Sequence, residues 1–458
     1  MTDPLLEYVD VFLPGQGDTL TQAPAYHWER TAAPTEVSAK EGLSEHTERP
    51  QSSALHTLGV TANFYSNTRD PNSVLVAVIG TDRAERKKLA RAKITMDFTN
   101  LKYHDFDGFG IHLPGLIVTA AGSVVAVCQR RHGGMGDGGH ENDVLMSRSA
   151  DGGKTWSRQR VIYAKPGQYT FLGAIVEDRI SGTLLVVGWD MPAGVVDDLG
   201  YFSTYAEKGG GFWIVQSDDD GVTWSEARQV DPRPNPDGWT GWPNNSVHGI
   251  QLTAGPHCGR MVIPGFLYKE GEPGEVPGVR GGLLYTDDHG ATWAVGAVLP
   301  EGSDEVSLVE TTGGEIYVSY RRNTCRRDGR TFARSRDGGQ GFYELGEHED
   351  LSGRPVHVGL ARHGAAANNH PDVLLFSHPT GVNHLIPGGA DMTIYVSRDG
   401  GRTWPVSKLI DERPCRYSDL AVTEDGTVLC IYTVGEVRDS EKLTLARFNQ
   451  EWLFASAV

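Results

Sequence analysis

The chain has 458 residues, of which 22% are charged and 39% hydrophobic, and a formal net charge of −17 at pH 7. That acidity argues against nucleic acid or an anionic membrane surface as a partner, since both repel a net negative protein. It leaves room for a local basic pocket and a small anionic substrate. No apolar run approaches the ~20 residues a membrane helix needs, and the five scattered cysteines lack metal-type spacing and read as buried free thiols.

The N-terminus, M-T-D-P-L-L-E-Y-V-D, has no basic stretch followed by an apolar run. The expectation is a cytoplasmic protein, or a secreted one if a leader was removed. Residues 1–55 are rich in Pro, Thr, Glu, Ser and Ala and read as an irregular arm. Two strands are expected next, at 74–79 and 92–98, with a charged helix between them. Residues 1–105 therefore read as an N-terminal extension, either an extra layer on the main domain or part of a homo-oligomer contact.

From about residue 106 two interleaved repeats run to the C-terminus. The first is S-A-D-G-G-K-T-W (149–156), repeated as S-D-D-D-G-V-T-W (217–224), T-D-D-H-G-A-T-W (286–293), S-R-D-G-G-Q-G-F (335–342) and S-R-D-G-G-R-T-W (397–404). Each has a hydroxyl residue, Asp two on, Gly four on and an aromatic seven on. The copies lie about 50 to 70 residues apart, the spacing of a stacked or radial repeat. The Asp and hydroxyl groups can accept turn N–H bonds, and the Gly permits a positive φ, so each copy is a tight hairpin.

The second repeat is a turn Gly or Asp followed by an apolar strand: 122–128, 182–188, 259–265, 314–320, 372–377 and 426–432. Near-continuous apolar character means both faces are buried, which predicts inner strands. Six such units with hairpins predict an all-β fold, a six-bladed β-propeller over residues 106–458. A β-solenoid is the competitor, but its repeats are shorter. The segment 443–453 is expected to be the outer strand that closes the ring.

In a propeller, loops at one end of the inner strands converge on the axis, so chemistry is expected there and not in the hairpins. The loop 129–143 carries Asp137, His140, Glu141 and Asp143 and can place a carboxyl over a ligand, or be a plain solvated loop. Glu305 precedes one strand and Y-R-R-N (320–323) ends the next, an acid and a base facing the axis or a structural ion pair. Tyr417, in R-P-C-R-Y-S-D-L (413–420), is either a packing residue or, near a Glu, an activated phenoxide. His112, His378 and His384 reach axial ends on separate strands without paired spacing, so neither a metal nor any other cofactor is expected.

These residues, with the five hairpin repeats and stretches such as L-P-G-L-I-V-T (113–119), E-V-S-L-V-E (305–310) and Y-S-D-L-A-V (417–422), resemble the sialidase (neuraminidase) superfamily and its Asp-box propellers. The resemblance implies Tyr417 as nucleophile, Glu305 as the group taking its proton, and Asp137 as acid/base. It also implies Arg321, with Arg322 as fallback, as one of three arginines clamping a substrate carboxylate. The chain departs from the pattern elsewhere. His112 stands in H-L-P where the family has R-I-P, N-H-L-I with His384 falls near the third clamp arginine, and Thr433 replaces the Glu that braces the first. Arg130, Arg131, Arg326 and Arg416 are the arginines nearby in sequence that could refill those places.

The resemblance thus implies a retaining exo-glycosidase releasing a terminal sialic acid or a related acidic or modified sugar from a carbohydrate substrate. Two alternatives are a glycan-binding propeller without turnover, and a polysaccharide lyase using His and Tyr as base and acid.

Overall fold

The computed structural model describes residues 5–12, 62–67, 70–78, 93–95, 110–132, 141–193, 211–243, 247–269, 278–322, 330–351, 353–363, 373–382, 388–436 and 438–455. The fold is all-β, a propeller of antiparallel sheets. In chain order, β1 (Leu6–Phe12) comes first, and β2 (Ala62–Asn67), β3 (Asp70–Val78) and β4 (Lys93–Thr95) form a three-stranded sheet of their own. The stretch expected to be a helix, 82–92, lies outside the described residues. Next, β5 (Gly110–Val118), β6 (Val124–Arg131), β7 (Asn142–Ser149) and β8 (Arg160–Ala164) pair in sequence order. β9 (Gln168–Asp178), β10 (Thr183–Pro192), β11 (Gly211–Ser217) and β12 (Arg228–Val230) repeat that order.

In the following sheet β13 (Thr240–Pro243) and β15 (Ile250–Gln251) pair with β16 (Met261–Lys269), followed by β17 (Gly278–Thr286) and β18 (Ala294–Val298). Between them, β14 (Val247–His248) runs parallel to β9. β19 (Ser303–Glu310), β20 (Ile316–Arg322), β21 (Arg330–Ser335) and β22 (Glu344–His348) form a four-stranded sheet. The last strands are β23 (Gly359–His363), β24 (Val373–Val382), β25 (Gly389–Ser397), β26 (Val406–Val422), β27 (Val428–Val434) and β28 (Lys442–Phe448), followed by the short helix α1 (Gln450–Phe454). The 17-residue β26 pairs with β25 through its first part and with β27 through its second, so one strand serves two sheet segments.

Apolar side chains pack between consecutive sheets. One cluster joins Leu116, Val124 and Leu145 near the start to Leu429, Ile431 and Leu445 near the end, which closes the ring. Two expectations need correction. The six apolar segments are the second strands of their sheets: β6, for example, lies between β5 and β7. The innermost strands are β5, β9, β14, β19, β23 and β26, which pack on one another across sheets. Long first strands such as β5 are about as buried as the second strands beside them, so apolar runs alone do not tell them apart. The second correction is that β28 is not the edge of the last sheet, because β1 pairs antiparallel with it. Part of the segment read as an extension therefore belongs to the propeller. Its seven residues, L-E-Y-V-D-V-F, are too short to stand out from the polar stretch that follows.

The hairpin repeats form as the sequence predicts. Ser149, Ser217, Thr286, Ser335 and Ser397 each accept a bond from the glycine N–H four residues on, at 2.8–3.1 Å. The glycines at that position, 153, 221, 290, 339 and 401, have φ of 81–86°. The preceding position is also left-handed, which Gly, Asp220 and His289 tolerate there. These turns do more than reverse the chain. An arginine of the neighbouring sheet donates to a carbonyl of each: Arg447 to Gly152, Arg148 to Asp220, Arg228 to Gly290, Arg260 to Gly338 and Arg334 to Gly400. The repeat is a joint between sheets.

Candidate functional site

Three innermost strands deliver side chains to one place, and each is irregular there. In β5 the register shifts between His112 and Gly115, with Leu113 at φ +57°. In β19 the shift lies between Ser303 and Val306 and takes in Glu305. In β26 it lies between Cys415 and Ser418 and takes in Arg416 and Tyr417. A bulge leaves a residue out of the ladder and re-aims its side chain. A leucine held in the left-handed region is a local strain of the kind that collects at functional sites. Leu113 packs with Val356 against Tyr417.

Tyr417 is buried, and its surroundings are unusual. The His357 ring lies flat on it, with centroids 4.4 Å apart and planes 10° apart. The His112 ring is 5.9 Å away at 59°, and the Arg416 guanidinium lies 4.6 Å from the phenol centroid. The Tyr417 backbone N–H donates to Thr433 Oγ1 at 3.1 Å. The threonine that stands where the family pattern has a glutamate thus braces the tyrosine's own backbone.

On the neighbouring sheet Arg321 Nη1 lies 3.3 Å from Glu305 Oε2 and 3.9 Å from Asp304. Burial alone would raise the Glu305 carboxyl, but Arg321, His357, Arg416 and Arg330 together hold it below the usual carboxylate range. Burial would lower Arg321, and Glu305, Asp304 and Tyr417 reverse that. The same electrostatic contacts place Tyr417 in the field of Arg321, on the acid's own cation.

Both histidines beside Tyr417 are neutral. Burial, with Arg131, Arg416 and His357 adding to it, pushes His112 well below the ordinary histidine value. Burial pushes His357 down to about 4; Glu305 opposes this and Arg330, Arg416 and Arg321 reinforce it. His112 therefore occupies an arginine's place in the pattern without its charge. Positive charge comes instead from Arg321, Arg416, Arg131 and Arg330.

Of the residues expected from sequence, Tyr417, Glu305, Arg321, His112, Arg131 and Arg416 share this neighbourhood. Arg130 is engaged elsewhere: adjacent residues of β6 face opposite ways, and its guanidinium is bound to Asp143, which also pairs with His132 at 2.9 Å. Asp137, His140, His384 and Arg326 lie outside the described residues. His378 is neutral as well, pushed down to about 3 by burial, and is bonded to the Arg354 carbonyl at 2.7 Å.

Two site residues escaped sequence reasoning, His357 and Arg330. Buried Arg330 donates to Ser319 Oγ (2.8 Å) and the Val356 carbonyl (2.6 Å), while its Nη2 is buried with no hydrogen-bond partner among the described residues. Burial lowers it to about 10. Both residues flank the fourth hairpin repeat, in segments without a motif. The available signal was position alone, since each stands at or just before the start of a strand.

A phenol, a carboxylate held ionised and several guanidiniums brought together from separate strands can bind an anion, and they can activate the phenol as a nucleophile. Known proteins resemble this chain over most of its length. The BNR repeat-like domain family matches residues 132–430. A sialidase of Micromonospora viridifaciens is 30% identical over 368 residues, covering 76% of this chain and 53% of that protein, so the chain spans about half of that relative's length. A sialidase of Bacteroides fragilis is 24% identical over 395 residues, covering 82% and 68%. Among solved structures, the Hadza microbial sialidase Hz136 shares the fold with a TM-score of 0.63 at 23% identity, over 83% of this chain and 72% of that one. The intramolecular trans-sialidase of Ruminococcus gnavus does so with a TM-score of 0.60 at 16% identity, over 76% and 96%. On its repeats, fold and relatives together, this chain belongs to the BNR-repeat family of the sialidase superfamily.

Proposed function

We propose that the chain is a retaining exo-glycosidase that releases a terminal sialic acid or a related acidic or modified sugar. In this reading the propeller has six blades, with β26 shared between the last two and β1 closing the ring. The substrate lies at the axis over Tyr417. The observation that carries the proposal is the grouping of Tyr417, Glu305 and Arg321 from separate strands, the first two buried and Arg321 half-buried beside Glu305.

The chemistry follows from the charges. A sugar with a carboxylate on its anomeric carbon repels a carboxylate nucleophile but not a neutral phenol. Tyr417 Oη attacks the anomeric carbon as its proton passes to Glu305, and the glycosidic bond breaks with the leaving oxygen protonated by Asp137. Water, deprotonated by Asp137, then attacks the glycosyl-tyrosine, and the phenolate recovers its proton from Glu305. Two displacements retain the anomeric configuration. Arg321, with Arg416 and Arg330 around it, and Arg131 beside His112, offset the substrate's negative charge in place of a three-arginine clamp.

A second reading, a glycan-binding propeller without turnover, is favoured by one observation: His112 is neutral where a clamp arginine is expected. A panel of fluorogenic acidic glycosides, a sialoside among them, separates the two. Release by the wild type and its loss in Tyr417→Phe support the enzyme. Binding of these glycosides with no sugar released from any of them would sink it.

A further inference from the structure

The family pattern gives no role to His357, yet it makes the closest ring contact of Tyr417 recorded among the described residues. We propose that His357 is a positioning residue, a flat platform that fixes the plane of the Tyr417 ring so that the phenol oxygen meets the bound sugar. This rests on the glycosidase reading above.

Three features support it. The rings are within 10° of parallel at 4.4 Å, a contact made by faces and not by a polar handle. Tyr417 also sits in a bulge, so the sheet ladder does not fix its side chain, and something else must. The platform itself is anchored on both sides. Arg330 donates to the Val356 carbonyl at 2.6 Å, and Ser307 Oγ donates to the Val358 carbonyl at 2.6 Å, tying the residues before and after His357 to β21 and β19. Arg330 is braced in turn by Ser319.

His357 is fully buried, and neither ring nitrogen has a hydrogen-bond partner among the described residues. An imidazole whose only role was structural would be expected to bond through one of them. What this ring offers its surroundings is its face. Its neutrality matters too: a charged imidazolium there would join three arginines, Arg321, Arg330 and Arg416, around Glu305 and Tyr417.

Three variants test the platform. His357→Phe keeps a flat face without nitrogens, His357→Leu keeps bulk without a flat face, and His357→Ala keeps neither. Aromatic pairs of this kind are worth roughly a factor of 2 to 13 in rate or equilibrium. The expected result is kcat within about threefold of wild type for Phe, and a fall of about tenfold or more for Leu and Ala, with KM little changed because the lost term is orientation of the nucleophile. A second readout needs no turnover. In protein labelled with 3-fluorotyrosine, with the Tyr417 signal assigned from Tyr417→Phe, the 19F resonance is sharp in wild type and Phe, and broadened or split in Leu and Ala.

If Phe falls as far as Ala, or Leu matches wild type, or the Tyr417 resonance is unmoved in Ala, the platform is refuted. If the wild type turns over no glycoside, the glycosidase reading fails while the 19F experiment still decides the platform.

Discussion

Arg321 Nη1 stands 3.3 Å from Glu305 Oε2, with the two residues on adjacent strands of one sheet and Tyr417, on β26 of the neighbouring sheet, within the arginine's field. The acid is kept ionised by the group expected to hold the substrate's negative charge. In the proposed mechanism, a bound substrate carboxylate would reduce the arginine's hold on Glu305 just when a base is needed. Glu305→Gln is expected to lower kcat by about 10²–10⁴, the usual share of a positioned base. Single-turnover kinetics on an activated glycoside check this; a kcat within threefold of wild type would contradict it.

Arg321→Lys keeps the charge and loses the fork. Loss of one charge-assisted bond of about 1.5–3 kcal/mol predicts kcat/KM lower by roughly 10- to 150-fold on an acidic sugar. A neutral glycoside that the enzyme accepts would lose much less. Comparing the two substrates by steady-state kinetics checks the assignment.

The pH dependence of stability has a sign that His357 sets. An exposed histidine takes its proton near 6.5, and folded His357 only near 4. Between these values the unfolded chain binds more protons, so stability falls as pH drops from 6.5 towards 4. His112 and His378 act in the same direction. Burial would lower His248, but the Asp419 carboxylate at 2.8 Å overrides it, so its contribution is full below 6.5 and is lost as pH rises through its raised folded value. Thermal melts should show Tm falling from pH 6.5 to 4.5. His357→Phe should remove one proton's share of that slope, at most ~1.4 kcal/mol per pH unit. An unchanged slope would show that His357 titrates normally.

The joints between sheets predict a stability effect far from the axis. Buried Arg447 on β28 donates to the Gly152 carbonyl at 2.8 Å and pairs with Glu7 on β1, so it links the first hairpin repeat, the last sheet and the N-terminal strand. Arg447→Ala is expected to cost about 2 kcal/mol in chemical denaturation, in the range for buried bonds to a charged group. Gly153→Ala should be at least as damaging, since φ is +84° and a Cβ would stand 2.7 Å from a Leu445 methyl. Neither change should alter KM in the surviving folded enzyme.

Much of this was legible in the sequence because it rests on local rules. The hairpin template specifies hydroxyl, Asp and Gly positions that the turn chemistry requires, and all five copies fold accordingly. Tyr417, Glu305 and Arg321 stood out as polar residues at the ends of apolar strands, and the structure brings them together. What was not legible depended on contacts between segments distant in sequence. The His357 stacking joins residues 60 positions apart in the chain, on segments with no shared pattern. Arg330 matters because Ser319 and Val356 fold around it. β1 reads as part of a polar arm until its partner β28, more than 400 residues later, is present. Apolar runs marked the second strands and not the first because burial is similar in both, and the bulges that aim Glu305 and Tyr417 inward leave no compositional trace.

The most direct measurement is the covalent state of Tyr417 during turnover. Wild-type protein mixed with an activated acidic glycoside and quenched in acid within milliseconds should yield, on peptide mapping by mass spectrometry, one glycosyl adduct on the peptide carrying Tyr417, absent in Tyr417→Phe. An adduct on any other residue, or free sugar of inverted anomeric configuration with no adduct, would contradict the account.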